Sequence, residues 1–89
     1  MIERKVKIIN KAGLHTRPAS MIVKIAAKYK SEFFINKDGM EINGKSIIGV
    51  MTLAAPQGVE LELTFDGPDE EEMANEIVDF FNRGFDEEC

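Results

Sequence analysis

The one histidine of the chain, His15, lies in the segment Gly13-Leu14-His15-Thr16-Arg17-Pro18-Ala19-Ser20, two residues ahead of an arginine. Imidazole is a covalent nucleophile, and a guanidinium can grip phosphate oxygens in pairs. Pro18 suits the first turn of a helix, where its missing N–H loses no helical partner, so His15 falls at a helix entrance. The free amides of that turn, those of Thr16 and Arg17 among them, and the positive end of the helix dipole would receive an anion carried on His15. The same field favours a neutral, nucleophilic imidazole. The competing assignment makes His15 a plain helix cap and Arg17 a solvated charge. A single histidine, with one cysteine at the last position, excludes zinc sites built on several imidazoles and any internal disulfide; no metal or cofactor is implied, and Cys89 receives no role.

The elements that must position this segment are legible as hydrophobic periods. Residues 2 to 8 alternate as a strand, with Ile2, Val6 and Ile8 opposite Glu3, Lys5 and Lys7. Ala19, Ile22, Val23 and Ala26 recur at helical spacing from Thr16 to about Lys28. Phe33 and Ile35, then Asp38-Gly39, then Met40 and Ile42 predict a hairpin, because Asp-Gly supplies the positive φ angles of a tight turn. The segment 47–53 reads as a short helix capped by Ser46, and Val59, Leu61, Leu63 and Phe65 alternate as the fourth strand. Asp69 with Glu72 resembles a capping box for a last helix bearing Met73, Ile77, Phe80 and Phe81, with Gly84 as its C-terminal cap. The predicted class is α+β: a four-stranded antiparallel sheet covered on one face by three helices, in the order βαββαβα.

Eighty-nine residues leave room for one domain over 1–89. No stretch is apolar enough for a membrane helix, and Met1-Ile2-Glu3-Arg4-Lys5 lacks the apolar run of a secretion signal, so the expected compartment is the cytoplasm. Charge is unevenly placed within a net charge of −5: residues 1–50 hold ten Lys or Arg against four acids, and residues 51–89 hold Arg83 alone against twelve acids. The basic half contains the histidine and would steer acidic partners or phosphate toward it. A net acidic chain without a dense basic stripe argues against nucleic acid.

Gly13 through Ala19 resembles the active-site signature of the HPr phosphocarrier family, and Lys45-Ser46-Ile47-Ile48-Gly49-Val50-Met51 resembles that family's regulatory serine segment, with length and element order agreeing across the chain. The resemblance implies an open-faced β-sandwich. It further implies a non-enzymatic carrier that takes phosphate on Nδ1 of His15 from enzyme I, ultimately from phosphoenolpyruvate, with Arg17 steadying the group, and passes it to enzyme IIA domains for sugar uptake. Ser46 would be phosphorylated by a dedicated HPr kinase/phosphorylase, and a monomer is expected. The docking surface would comprise Thr16, Ser20, Met21, Lys24, Lys45, Ile47, Ile48 and Met51; core packing is the plain alternative for the apolar ones. Two departures stand out: Ala12 replaces a polar side chain found in many members, and Ala54 stands where many have glycine.

Three rivals follow different logic. A nitrogen-type regulatory phosphorelay would move no sugar, a histidine-nucleophile phosphatase would need a general acid and a pocket, and a purely structural binding domain would not need His15 at all.

Overall fold

In a computed structural model describing residues 1–89, the chain forms β1 (Ile2–Lys7), α1 (Thr16–Ala26), β2 (Glu32–Lys37), β3 (Met40–Asn43), α2 (Ile47–Thr52), β4 (Glu60–Asp66) and α3 (Glu70–Asn82), followed by a short turn Gly84–Asp86. The strands make one antiparallel sheet in the order β1-β4-β2-β3. The element order βαββαβα and the open-faced sandwich are those predicted.

Alternation explains the sheet. Leu61, Leu63 and Phe65 of β4 are buried while Glu60 and Glu62 face water. Each buried residue meets an apolar partner across the ladder: Val6 opposite Leu61, Ile35 opposite Leu63, and Phe33 opposite Phe65. The last pair stacks with ring centroids 4.9 Å apart. Ala19, Ile22 and Ala26 of α1, Val50 of α2, and Met73, Ile77, Phe80 and Phe81 of α3 close over these residues in a single core. At the hairpin, Asp38 and Gly39 both take positive φ, 50° and 87°, the primed turn that Asp-Gly predicts, and Asn36 Oδ1 accepts from the Gly39 amide at 3.1 Å.

Two expectations require correction. The helix α1 ends at Ala26 rather than near Lys28, because the amides of Lys28 and Tyr29 tighten onto the carbonyls of Ile25 and Ala26. The capping box at α3 does not form: Asp69 occupies the cap position but makes no side-chain cap bond. Its carboxylate instead accepts from the amides of Lys30 and Ser31, each at 2.9 Å, and from Ser31 Oγ at 2.5 Å, while the Asp69 amide donates back to Ser31 Oγ at 3.1 Å. These charge-assisted bonds tie the α1–β2 connection to the start of α3 and hold the Asp69 carboxyl down to about 2, the Ser31 hydroxyl contributing most. Glu70 supplies the local substitute, its Oε1 accepting from the Gly67 amide at 3.0 Å. Lys45 donates its ammonium to the Tyr29 carbonyl at 2.8 Å, beyond the C-terminal end of α1.

Gly84 ends α3 at φ +64°, as its predicted capping role requires. Ala54 also adopts a left-handed φ of +46°. The backbone there keeps the conformation that glycine would take most easily, and alanine bears the cost.

Candidate functional site

The loop before α1 is fixed from both sides. Gly13 has φ +73°, and a Cβ on it would lie 2.7 Å from the Ala55 carbonyl, so only glycine lets the loop approach the end of α2 this closely. Buried Leu14 then donates its amide to that same carbonyl at 2.8 Å. His15 follows at the N-cap position with extended backbone, its carbonyl accepting from the Ala19 amide at 3.0 Å. Its side chain makes no cap bond, which removes the plain helix-cap assignment. The amides of Thr16 and Arg17 find no acceptor within the protein, and both side chains are exposed beside them. The entrance of α1 therefore presents an exposed imidazole, a guanidinium and two free N–H groups together.

One neighbour comes from the far end of the chain. Glu87 folds back over the entrance, its two carboxylate oxygens 2.9 and 3.0 Å from His15 Nε2 and one of them 3.4 Å from Arg17 Nη1. Asn10, fully buried, donates through Nδ2 to the same carboxylate at 2.9 Å and to the Gly13 carbonyl at 2.9 Å. The hydrogen bond with His15 holds the Glu87 carboxyl below the usual range, with Asn10 and Arg17 adding to the effect against partial burial. Alongside, the Lys11 amide donates to the Glu88 carbonyl at 2.9 Å, and Lys11 Nζ pairs with the Glu88 carboxylate at 2.8 Å. The purely electropositive surroundings expected for His15 are thus offset by an acid from the far end of the chain. In the sequence Glu87 was one of a dozen acids in the second half, with no local signal to single it out.

The expected docking residues divide. Ile47, Ile48 and Met51 on α2 are exposed apolar side chains, Ile48 at 75%. Thr16, Arg17 and Lys24 are exposed on α1, Ser20 is half-buried, and Met21 packs partly against the core. Ser46 caps α2, its Oγ accepting from the Gly49 amide at 3.2 Å. It lies, with Lys45, at the end of α2 opposite to the one that holds the His15 loop.

A sequence profile described as the PTS HPr component phosphorylation site matches residues 2–83 of the chain. The chain belongs to the HPr family. Among its relatives, the phosphocarrier protein HPr of Treponema pallidum is 42% identical over 88 residues, covering 99% of this chain and 100% of the relative. The HPr-like protein Crh of Bacillus subtilis is 40% identical over 78 residues, covering 88% and 92% of the two chains. The solved structure of HPr-C-His from Thermoanaerobacter tengcongensis superposes with a TM-score of 0.95 at 42% identity, covering 100% of both chains. HPr proteins are phosphocarriers rather than catalysts, so their sites need a phosphate acceptor and docking surfaces and no substrate cavity. No helix of this HPr chain is long and apolar enough to cross a membrane.

Proposed function

We propose that this protein carries a phosphoryl group on Nδ1 of His15, received from enzyme I and delivered to enzyme IIA domains in sugar uptake. The observation that carries this reading is the exposed imidazole at the entrance of α1, with the unpaired Thr16 and Arg17 amides and the Arg17 guanidinium beside it. Three phosphate oxygens on Nδ1 would find those N–H donors, the helix dipole and a bidentate cation. Ile47, Ile48 and Met51, with Thr16, Ser20, Met21 and Lys24 on the neighbouring helix, form the surface on which donor and acceptor proteins dock. Lys45 contributes least, its ammonium being engaged by the Tyr29 carbonyl.

Ser46 is the regulatory site, phosphorylated by an HPr kinase/phosphorylase. Its hydroxyl already sits at the amino end of α2, where a phosphate dianion suits the free amides. The protein acts in the cytoplasm as a monomer of one domain.

Incubation with phosphoenolpyruvate and an enzyme I preparation, followed by peptide mapping, tests the reading. The expected product is one acid-labile, base-stable phosphoryl group on His15, absent from His15→Ala. Label on any other residue, or unchanged labelling of His15→Ala, would refute it.

A further inference from the structure

We propose that Glu87, held by Asn10, is a positioning residue for phosphoryl transfer: its carboxylate keeps a proton on His15 Nε2, leaves Nδ1 as the nucleophilic nitrogen, and balances the positive charge that the ring gains on phosphorylation. This rests on the reading that His15 is the phosphate carrier. It concerns a residue beyond the span 2–83 that the HPr profile matches.

The geometry determines the proton. Both oxygens of Glu87 lie within 3.0 Å of Nε2, and an ionised carboxylate can only accept, so Nε2 must donate. A neutral imidazole has one N–H; with that hydrogen on Nε2, the lone pair of Nδ1 is bare. The carboxylate does not wander, because fully buried Asn10 donates one amide hydrogen to it and another to the Gly13 carbonyl, spanning the tail and the His15 loop. Asn10 holds this orientation although its own Oδ1 is buried without a partner. An unpaired buried amide oxygen is unfavourable, and the two bonds that Nδ2 donates to Gly13 and Glu87 offset it.

The charge balance follows from the reaction. The Nδ1 lone pair attacks phosphorus of a phosphorylated donor protein, the P–Nδ1 bond forms, and the bond from phosphorus to the donor atom breaks with its electron pair returning to the donor. Nε2 keeps its proton throughout, so the ring passes from neutral to cationic. In the outward transfer the P–Nδ1 bond breaks and its pair stays on Nδ1, releasing neutral imidazole instead of an imidazolate. Glu87 stabilises the cationic ring at both steps. The other charges around the ring are Arg17, which contacts Glu87, Asp86 near Arg17, and the exposed Lys11–Glu88 pair; none of them touches Nε2.

The test is ¹⁵N NMR of the imidazole ring against pH, free and phosphorylated, in the parent protein, Glu87→Gln and Asn10→Ala, with transfer rates measured across the same pH range. The neutral free ring of the parent should be protonated on Nε2. Its phosphorylated ring should retain the Nε2 proton to a pH about one unit higher than in Glu87→Gln, roughly a tenfold difference in proton affinity, with Asn10→Ala between the two. Outward transfer by Glu87→Gln should fall off at correspondingly lower pH. An Nδ1-protonated neutral ring in the parent, or superimposable titrations of parent and Glu87→Gln while His15 is phosphorylated in both, would overturn the role of Glu87 and leave the carrier reading intact. Absence of phosphate from His15 in the parent would overturn both.

Discussion

Arg17 is exposed, and its one side-chain ion pair is a long one, 3.4 Å to Glu87. An exposed ion pair of that geometry adds little to folding, whereas a guanidinium beside a transferring phosphoryl group stabilises developing charge. Arg17→Ala should therefore unfold at an unchanged denaturant midpoint and transfer phosphate on the order of a hundredfold more slowly; an unaltered rate would remove Arg17 from the site. At the same scale, Asp69 shows how one carboxylate ties distant segments together. Its carboxyl is lowered from 3.8 to about 2, chiefly by Ser31 and the Lys30 amide, so between those values the unfolded chain binds a proton that the folded one does not. The stability it contributes is complete above about pH 4 and is lost as pH falls through about 2. Denaturant unfolding at pH 4 and pH 2 should show that loss in the parent and a shallower one in Asp69→Asn. Equal pH dependence would assign acid sensitivity to other groups.

The elements carry the site through their ends. α1 begins at Thr16, directly after His15, and α2 ends at Thr52, two residues before Ala54; the two helices meet where the Leu14 amide reaches the Ala55 carbonyl. The left-handed φ of +46° at exposed Ala54 lies in the middle of that junction. An L-residue there gives up roughly 1 kcal/mol, and nothing buries the alanine methyl in return. Ala54→Gly should thus raise stability by up to about 1 kcal/mol, less the added entropy of the unfolded chain, with the His15 loop unmoved. A lower denaturant midpoint would show that the methyl group contributes more than its exposure suggests. The cap of α2 is a separate matter: the Ser46 hydroxyl bonds the Gly49 amide, a function that an aspartate fulfils equally well.

At the scale of the molecule, the two candidate phosphorylation sites lie at opposite ends of an antiparallel helix pair. The start of α1 is tied to the end of α2 by Leu14 and Ala55, and the start of α2 is tied to the end of α1 by Lys45 and Tyr29. Eleven residues of α1 at about 1.5 Å each separate the ends by about 16 Å, beyond the screening length of about 8–10 Å in physiological salt. A charge at Ser46 should consequently act on an arriving acidic partner and not on His15. Ser46→Asp should fold as stably as the parent, react normally with phosphoramidate as a small donor, and accept phosphate from enzyme I more slowly, with the deficit shrinking at high salt. Equal rates from enzyme I at low salt would leave Ser46 as a helix cap only.

What the sequence determined by itself is what local periodicity and local sterics determine. The alternation of Leu61, Leu63 and Phe65, the helical spacing of Met73, Ile77 and Phe80, the Asp38-Gly39 turn and Pro18 in a first turn each act over a few residues, and each stands where it was predicted. His15 and Arg17 were found at a helix entrance for the same reason. Tertiary structure decided which of several equivalent groups is chosen by a distant one. Asp69 turns from its own helix to Ser31, 38 residues away, because three donors there outweigh one local cap. Lys45 turns its ammonium to Tyr29, 16 residues away, because the chain beyond the end of α1 offers it a carbonyl. Glu87 meets His15 across 72 residues because the turn after α3, packed through Phe85 against Phe80 and Phe81, aims the tail back at the entrance of α1. In the sequence these carboxylates and ammonium groups are interchangeable charges, and only the path of the folded chain brings one of them to a partner.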